Sequence, residues 1–240
     1  AHRVLGSTSV HIKGSGTGGR GSTSARDSSG SAHARGVEGV TLDFGVAFEQ
    51  LDYMEALANA AGVALPLWPA PSDLESPHAL AFLRELAMKH KVTSDLKTLP
   101  KNAAGLLDKL CSALVEPKLI QPTFLMHQPL CMSPLAKPHR SIPGLSERFE
   151  LFVLQREMAN AYTELNDPRL QALRFEEQRN EQAKGDEEAV APDDEFVTAL
   201  EYGLPPTAGW GLGVDRLCMT LLDLPSIREV LLFPLLRDKN

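Results

Sequence analysis

Glycine stands at every second position in Gly209-Trp210-Gly211-Leu212-Gly213, and an apolar, helically spaced run follows at once in Val214-Asp215-Arg216-Leu217-Cys218-Met219. Side chains alternate faces along an extended strand, so the three glycines leave one face bare and let a flat ring approach the backbone. Asp215 is placed to cap the first turn of the following helix. Arg216, just inside that turn, is placed to reach a phosphate that the strand has positioned. The segment reads as a floor for a nucleoside triphosphate. The same pattern also fits a strand, a glycine turn and a core helix with a surface arginine.

A chain of 240 residues with 43% hydrophobic content can bury a core, as one large domain or a domain with an appendage. No apolar run approaches the ~18 residues that span a bilayer, and Ala1-His2-Arg3 does not open a secretory signal. Cys111, Cys131 and Cys218 have no metal-type spacing and point to a reducing compartment, each as a small core residue. Net charge is −7, but residues 1–36 hold five basic residues against one acidic, leaving −11 for the remainder. Bulk charge therefore announces no polyanion partner; any nucleic-acid contact has to be local or made elsewhere.

Weak strand character in residues 4–13 gives way to seven glycines and six serines in residues 14–36, read as a disordered insertion or linker. Gly14-x-Gly16-x-x-Gly19 matches a dinucleotide fingerprint, but no helix follows it. A third unit, residues 37–240, starts with an alternating strand at 40–44, then a helix carrying Phe48, Leu51, Met54, Leu57 and Ala61 and ending at Gly62. Helices are expected at 78–90, 103–116 and 169–184, and one from Asp193 or Asp194 that buries Phe196 and Leu200 and stops at Gly203. A strand is expected at 123–127, and the acidic patch at 186–195 reads as a solvated loop. The apolar segment at 230–234 reads as buried. Ser133 with Lys137, and His127 with His139, read as loop or edge residues rather than as nucleophile, base or ligands.

Residues 147–167 read as two antiparallel strands reversing at Leu154-Gln155, although a two-residue turn ordinarily wants Asn-Gly or similar. This register sets Val153 opposite Arg156, Phe152 opposite Glu157 and Glu150 opposite Ala159, with Glu150 and Glu157 diagonal on one face. Two carboxylates so close suit magnesium carried in with phosphates; the alternative is two exposed glutamates offset by Arg148 and Arg156. Asn160, Tyr162 and Glu164 share a face and offer an amide, an aromatic wall and a carboxylate, suited to a long aliphatic chain ending in an ammonium. Strict alternation puts that trio opposite Glu157, so a single site requires a bulge or strong twist.

The string GLPPTAGWGLGVDRL resembles the third signature motif of class II aminoacyl-tRNA synthetases in its lysine-specific form, and RFELFV, NAYTELNDP and FEEQ resemble the segment that precedes it. The likeness is dense over 122–234, looser over 37–121 and nearly absent earlier. It implies an α+β fold, an antiparallel sheet flanked by helices, that activates lysine with ATP and passes it to tRNA(Lys). Carried over, Glu150 and Glu157 would hold magnesium and ATP, with Leu151, Asn160, Gly211, Gly213, Asp215 and Arg216 also at the nucleotide. Arg216 would be catalytic, on the γ-phosphate. Asn160, Tyr162, Glu164 and Gly209 would bind lysine, with Glu164 on its ε-ammonium. The resemblance further implies a cytoplasmic protein, with an organellar form as the alternative, a homodimer at full length and no membrane.

A first motif, an arginine-bearing second motif and an anticodon-binding barrel, all expected of that family, are not found in the sequence. The chain therefore reads as the C-terminal part of a synthetase catalytic domain. The alternatives are a non-catalytic paralogue or fragment that binds lysine, ATP or a partner synthetase, and a relative that attaches lysine-like groups to a protein.

Overall fold

The computed structural model describes residues 6–13, 37, 39–93, 98–183 and 193–234. The Gly/Ser-rich stretch at 14–36 and most of the acidic patch lie outside the described residues. Strands β1 (Ser9–Ile12) and β2 (Val40–Asp43) pair antiparallel as a small sheet of their own. The main sheet has five strands in sequence order: β3 (Glu49–Asp52), β4 (Thr123–Met126), β5 (Arg148–Val153), β6 (Arg156–Thr163) and β7 (Ala208–Leu212). All neighbours are antiparallel except β3 and β4, which are parallel, so the expected antiparallel sheet is a mixed one. A parallel pair needs a long crossover. Helices α1 (Tyr53–Ala61), α2 (Pro77–Lys89) and α3 (Ala103–Leu114) supply it.

Each crossover helix starts on a side-chain cap: Asp52 accepts from the N–H groups of Met54 and Glu55, Ser76 from Ala79, and Asn102 from Gly105. The expected helical stripe through Phe48 and Leu51 is corrected here. Asp52 starts α1 only after Leu51, and residues 49–52 pair with β4 instead. The helices lay Leu57, Leu83, Leu106, Leu107 and Leu110, all fully buried, against Leu125 and Phe152 of the sheet. At about 1.5–3 kcal/mol for each buried leucine, this layer anchors that face. Val153, the next residue, points to the opposite face and packs with Leu154 and Met158 against Val10, Ile12 and Leu42 of the small sheet.

The β5–β6 turn forms at Leu154-Gln155 as expected, with both residues at positive φ (52° and 64°). Non-glycine residues there cost about 1 kcal/mol or more each. Tertiary bonds offset that cost: the N–H groups of Leu154 and Gln155 donate to the carbonyls of Ile120 and Leu119, and Gln155 Nε2 donates to that of Pro117.

Helices α4 (Pro168–Ala183) and α5 (Asp194–Glu201) follow, and α6 (Val214–Leu221) leaves β7 through Gly213. Asp193 caps α5 as expected, but of the two residues expected to be buried only Leu200 is; Phe196 is 42% exposed, resting edge-on against Phe175. The segment expected to be buried at 230–234 is also corrected: Leu232 and Phe233 are 90% and 92% exposed, beyond a short 3-10 turn that carries them off the core.

Between β4 and β5 the chain loops beside the end of β6, bridging Ala136 to Glu164 and Pro138 to Ser146. Gly144 holds this loop at φ 80°, and a Cβ there would strike the backbone of Pro71 and Ser72. Gly144→Ala is expected to cost about 2 kcal/mol or more and lower Tm by several degrees. Gly39→Ala, at φ 72° with open space around it, is the control for backbone strain alone. Equal melting losses in the two variants would show that the close approach at Gly144 does not matter.

Candidate active site

The site is built on the β5–β6 hairpin. Val153 faces Arg156 and Phe152 faces Glu157 as expected, but the register shifts at the next step, where Leu151 faces Ala159 and Glu150 faces Asn160. The expected Glu150–Ala159 pairing is thus corrected by one residue. Met158 is the extra residue of a bulge, buried among the apolar side chains of the other face. Paired residues share a face, so Glu157, Asn160 and Tyr162 now stand together with Phe152, Glu150 and Arg148. The single site that alternation forbade is created by the bulge. Leu151 alternates away and packs against the second apolar cluster, so only its backbone adjoins the site.

Arg148 connects these groups. Its NH2 donates to Glu150 Oε1 at 2.6 Å, Nε to Asn160 Oδ1 at 3.1 Å, and NH1 to Ser133 Oγ at 2.9 Å and the Met132 carbonyl at 3.1 Å. Arg148 is thus a half-buried hub rather than the offsetting surface charge expected from sequence. The period-two spacing Arg148, Glu150, Phe152 was the signal that could have found it. Burial pushes the Glu150 carboxyl up to about 6; Arg148 pulls it down, while Glu157 and Glu116 push it up further. Arg148 and Glu150 also line a cavity of about 1120 Å³ between α2, α3 and the sheet, with Lys101, Asn102, Asp108 and Gln128 on its other walls.

At the other end of the hairpin Arg216 donates from NH1 to the main-chain oxygen of Glu157 at 2.6 Å, with Glu157 Oε2 at 3.7 Å. Arg216 is exposed, on the first turn of α6. The expected cap by Asp215 is not formed. Gly213 occupies the N-cap without a side-chain bond, and Asp215 sits within the first turn, where its charge still favours the positive end of the short helix. Gly213 donates its N–H to the Met158 carbonyl, tying α6 to the bulge.

The glycine ladder faces the trio directly: Gly209 pairs with Tyr162 and Gly211 with Asn160. A Cβ on Gly209 would collide with the Glu164 carboxylate, which lies over that glycine, whereas one on Gly211 would meet only the Asn160 carbonyl at 3.8 Å. Burial raises the Tyr162 hydroxyl, and the Glu164 carboxylate beside it adds to the rise. Among the described residues no cluster of three or more His, Cys, Asp or Glu side chains is arranged to hold a metal. The two carboxylates suit a hard divalent cation that completes its shell from phosphate oxygens and water, so the donor set fits magnesium arriving with a nucleotide.

The loop and edge residues between β4 and β5 are held by hydrogen bonds. Ser133 accepts from Arg148, while Lys137 Nζ donates to Asn166 Oδ1. His127 bonds Asp52 at 3.1 Å, and His139 Nδ1 accepts from the N–H groups of Ser141 and Ile142. Burial raises the thiol of Cys111, and that of Cys131 to about 12, which favours the protonated thiol in both.

The family described as tRNA synthetases class II (D, K and N) matches residues 22–237. The chain belongs to that family. The lysine–tRNA ligase cla4 of Cladosporium cladosporioides is 50% identical to this synthetase chain over 199 residues, covering 82% of it and 32% of the relative. The lysine–tRNA ligase of Aquifex aeolicus is 46% identical over 83% of the chain and 32% of its own length. A probable cytoplasmic lysine–tRNA ligase of Encephalitozoon cuniculi is 42% identical over 85% and 38%. The chain spans about a third of the length of the curated relatives it matches. No described helix of this synthetase chain is long and apolar enough to cross a membrane.

The charge state of Glu150 tests the geometry of the synthetase site. Its folded-state value lies above the ordinary 4.5, so its contribution to stability is present below about pH 4.5 and lost as pH rises through about 6. A carboxyl-carbon NMR titration is expected to show a midpoint near 6 that falls in Glu157→Gln and rises in Arg148→Met. A midpoint at the ordinary value would mean that this face is more open to water than described.

Proposed function

We propose that this chain forms the lysine- and ATP-binding floor of a cytoplasmic lysine–tRNA ligase, which joins lysine to AMP and passes it to tRNA(Lys), and which is a homodimer at full length. The observation that carries the reading is the placement of the Glu164 carboxylate over Gly209, which pairs with Tyr162, while Asn160 pairs with Gly211 two residues further along the strands. Two residues of strand advance about 6.6 Å. That matches the five bonds, about 6 Å, between the ε-nitrogen and the α-carbon of an extended lysine. Glu164 takes the ammonium, Tyr162 flanks the methylenes and Asn160 meets the α-carbon end. The lysine–tRNA ligase names of the relatives support the same substrate.

In this reading ATP lies across Gly211 and Gly213, and Arg216 turns from the Glu157 carbonyl to the γ-phosphate, a geometry suited to a planar guanidinium. Asp215 borders this floor from the first turn of α6. Glu150 and Glu157 hold magnesium, which supplies charge neutralisation to the phosphates when bound. The lysine carboxylate then attacks the α-phosphorus and pyrophosphate leaves. No covalent enzyme intermediate is required, so the work of these residues is positioning and electrostatic stabilisation. A second reading, ligand binding by the 240-residue chain without turnover, is favoured by the open sheet face: the cavity walls include Glu150 and Arg148 but not Glu157, Tyr162, Glu164 or Arg216.

Lysine-dependent exchange of labelled pyrophosphate into ATP by the full-length product separates the two. Exchange establishes the ligase, and lysine binding without exchange supports the second reading. In either case Glu164→Gln is expected to weaken lysine binding by about tenfold or more in calorimetry. Gly209→Ala is expected to do the same by displacing Glu164, with the circular dichroism spectrum unchanged. Undiminished lysine affinity in both variants would place the ammonium elsewhere.

A further inference from the structure

An asparagine amide presents an acceptor at one end and a donor at the other, and what holds one end decides what the other offers. The Oδ1 of Asn160 accepts from Arg148 Nε at 3.1 Å. Flipping the amide would set its NH2 group against the Arg148 N–H, donor against donor. Arg148 cannot yield, because Glu150, Ser133 and the Met132 carbonyl hold the rest of its guanidinium within 2.6–3.1 Å. The donor end of Asn160 is therefore left for the bare floor opposite, where Gly211 carries no side chain to meet it.

We propose that Arg148 is a positioning residue that locks Asn160 with its NH2 group toward the ligand, so that the site demands a hydrogen-bond acceptor, the α-carboxylate, at the end of the lysine remote from Glu164. This rests on the lysine reading above. It makes the Arg148–Asn160 pair the feature that separates lysine from cadaverine, the diamine of the same chain length without a carboxylate. Glu164 and Tyr162 bind the shared aliphatic ammonium and do not discriminate.

The test is calorimetric binding of L-lysine and cadaverine to the 240-residue chain and its variants, with amide and guanidinium NMR on the ligand-free protein. Asn160→Asp still accepts from Arg148 but has no donor to offer. It is expected to lose about tenfold or more in lysine affinity while keeping or improving cadaverine binding. Arg148→Met and Asn160→Ala are each expected to lower lysine affinity by a similar factor, and the double variant by no more than either alone, since one residue acts through the other. Arg148→Lys, which keeps the charge but not the fork, is expected to behave as Arg148→Met and serves if the latter does not fold. In the ligand-free chain the Arg148 Nε–H signal is expected to exchange slowly and to lose that protection in Asn160→Ala.

Additive losses, or equal losses for lysine and cadaverine, would overturn the inference while leaving the lysine site intact. An unprotected Arg148 Nε–H in the wild-type chain would overturn it without reference to any ligand. A chain that binds neither compound overturns the lysine reading itself.

Discussion

Because β6 carries one more residue than β5 between the turn and Ala159, Glu157 and Asn160 come to the same face instead of opposite ones. A regular ladder would have split the Glu150 and Glu157 carboxylates from the amide, the tyrosine and the third glutamate, Glu164. The bulge is held on its other side: Met158 is buried among Val10, Ile12 and Leu42, and its carbonyl receives the Gly213 N–H that starts α6. The small sheet thus acts on the site from the opposite face, by keeping Met158 where it is. The strained turn at Leu154-Gln155 belongs to the same device, since it fixes the register against which the extra residue is counted.

Electrostatics complete what the register begins. Each carboxylate proposed to hold a cation already has an arginine, Arg148 for Glu150 and Arg216 beside Glu157. The two pairs differ in kind. Arg148 and Glu150 are mostly buried and tied into a network, so removing either leaves a charge with no partner. Arg216 and Glu157 are roughly half exposed, and their contact is weak enough to exchange for a phosphate. The first pair is scaffold and the second is a contact that ligand binding can replace.

Much of this was legible in the sequence. The glycine ladder, the hairpin turn, the helices at 78–90 and 103–116, and the grouping of Asn160, Tyr162 and Glu164 all follow from the period of the sequence, although the caps at Ser76 and Asn102 were not read from it. Leu154-Gln155 looked wrong for a turn because the bonds that hold it come from Pro117, Leu119 and Ile120, more than thirty residues away. The bulge could be required but not located, since its cause is the packing of Met158 against a strand near the start of the chain. Phe48 and Leu51 continued a helical stripe by chance, and only the pairing of residues 49–52 with β4 and the cap at Asp52 show them outside the helix. Asp215 matched the composition of a cap, but Gly213 took that position because β7 ends one residue before it.

The Arg148 network also joins the two halves of the site. One guanidinium touches both Glu150 and Asn160, the residues proposed for the nucleotide side and the amino-acid side. In that reading a carboxylate held by Asn160 would also constrain Arg148, and through it Glu150. Such a coupling is reciprocal by linkage, so a ligand in either half would favour one in the other. The chemistry gives that coupling a use. In the proposed reaction the carboxylate that Asn160 would hold attacks the α-phosphorus, and a cation beside Glu150 would steady the phosphates. A single arginine spanning both would place them in the same frame before the reaction starts, which is how positioning lowers a barrier when no covalent intermediate is formed.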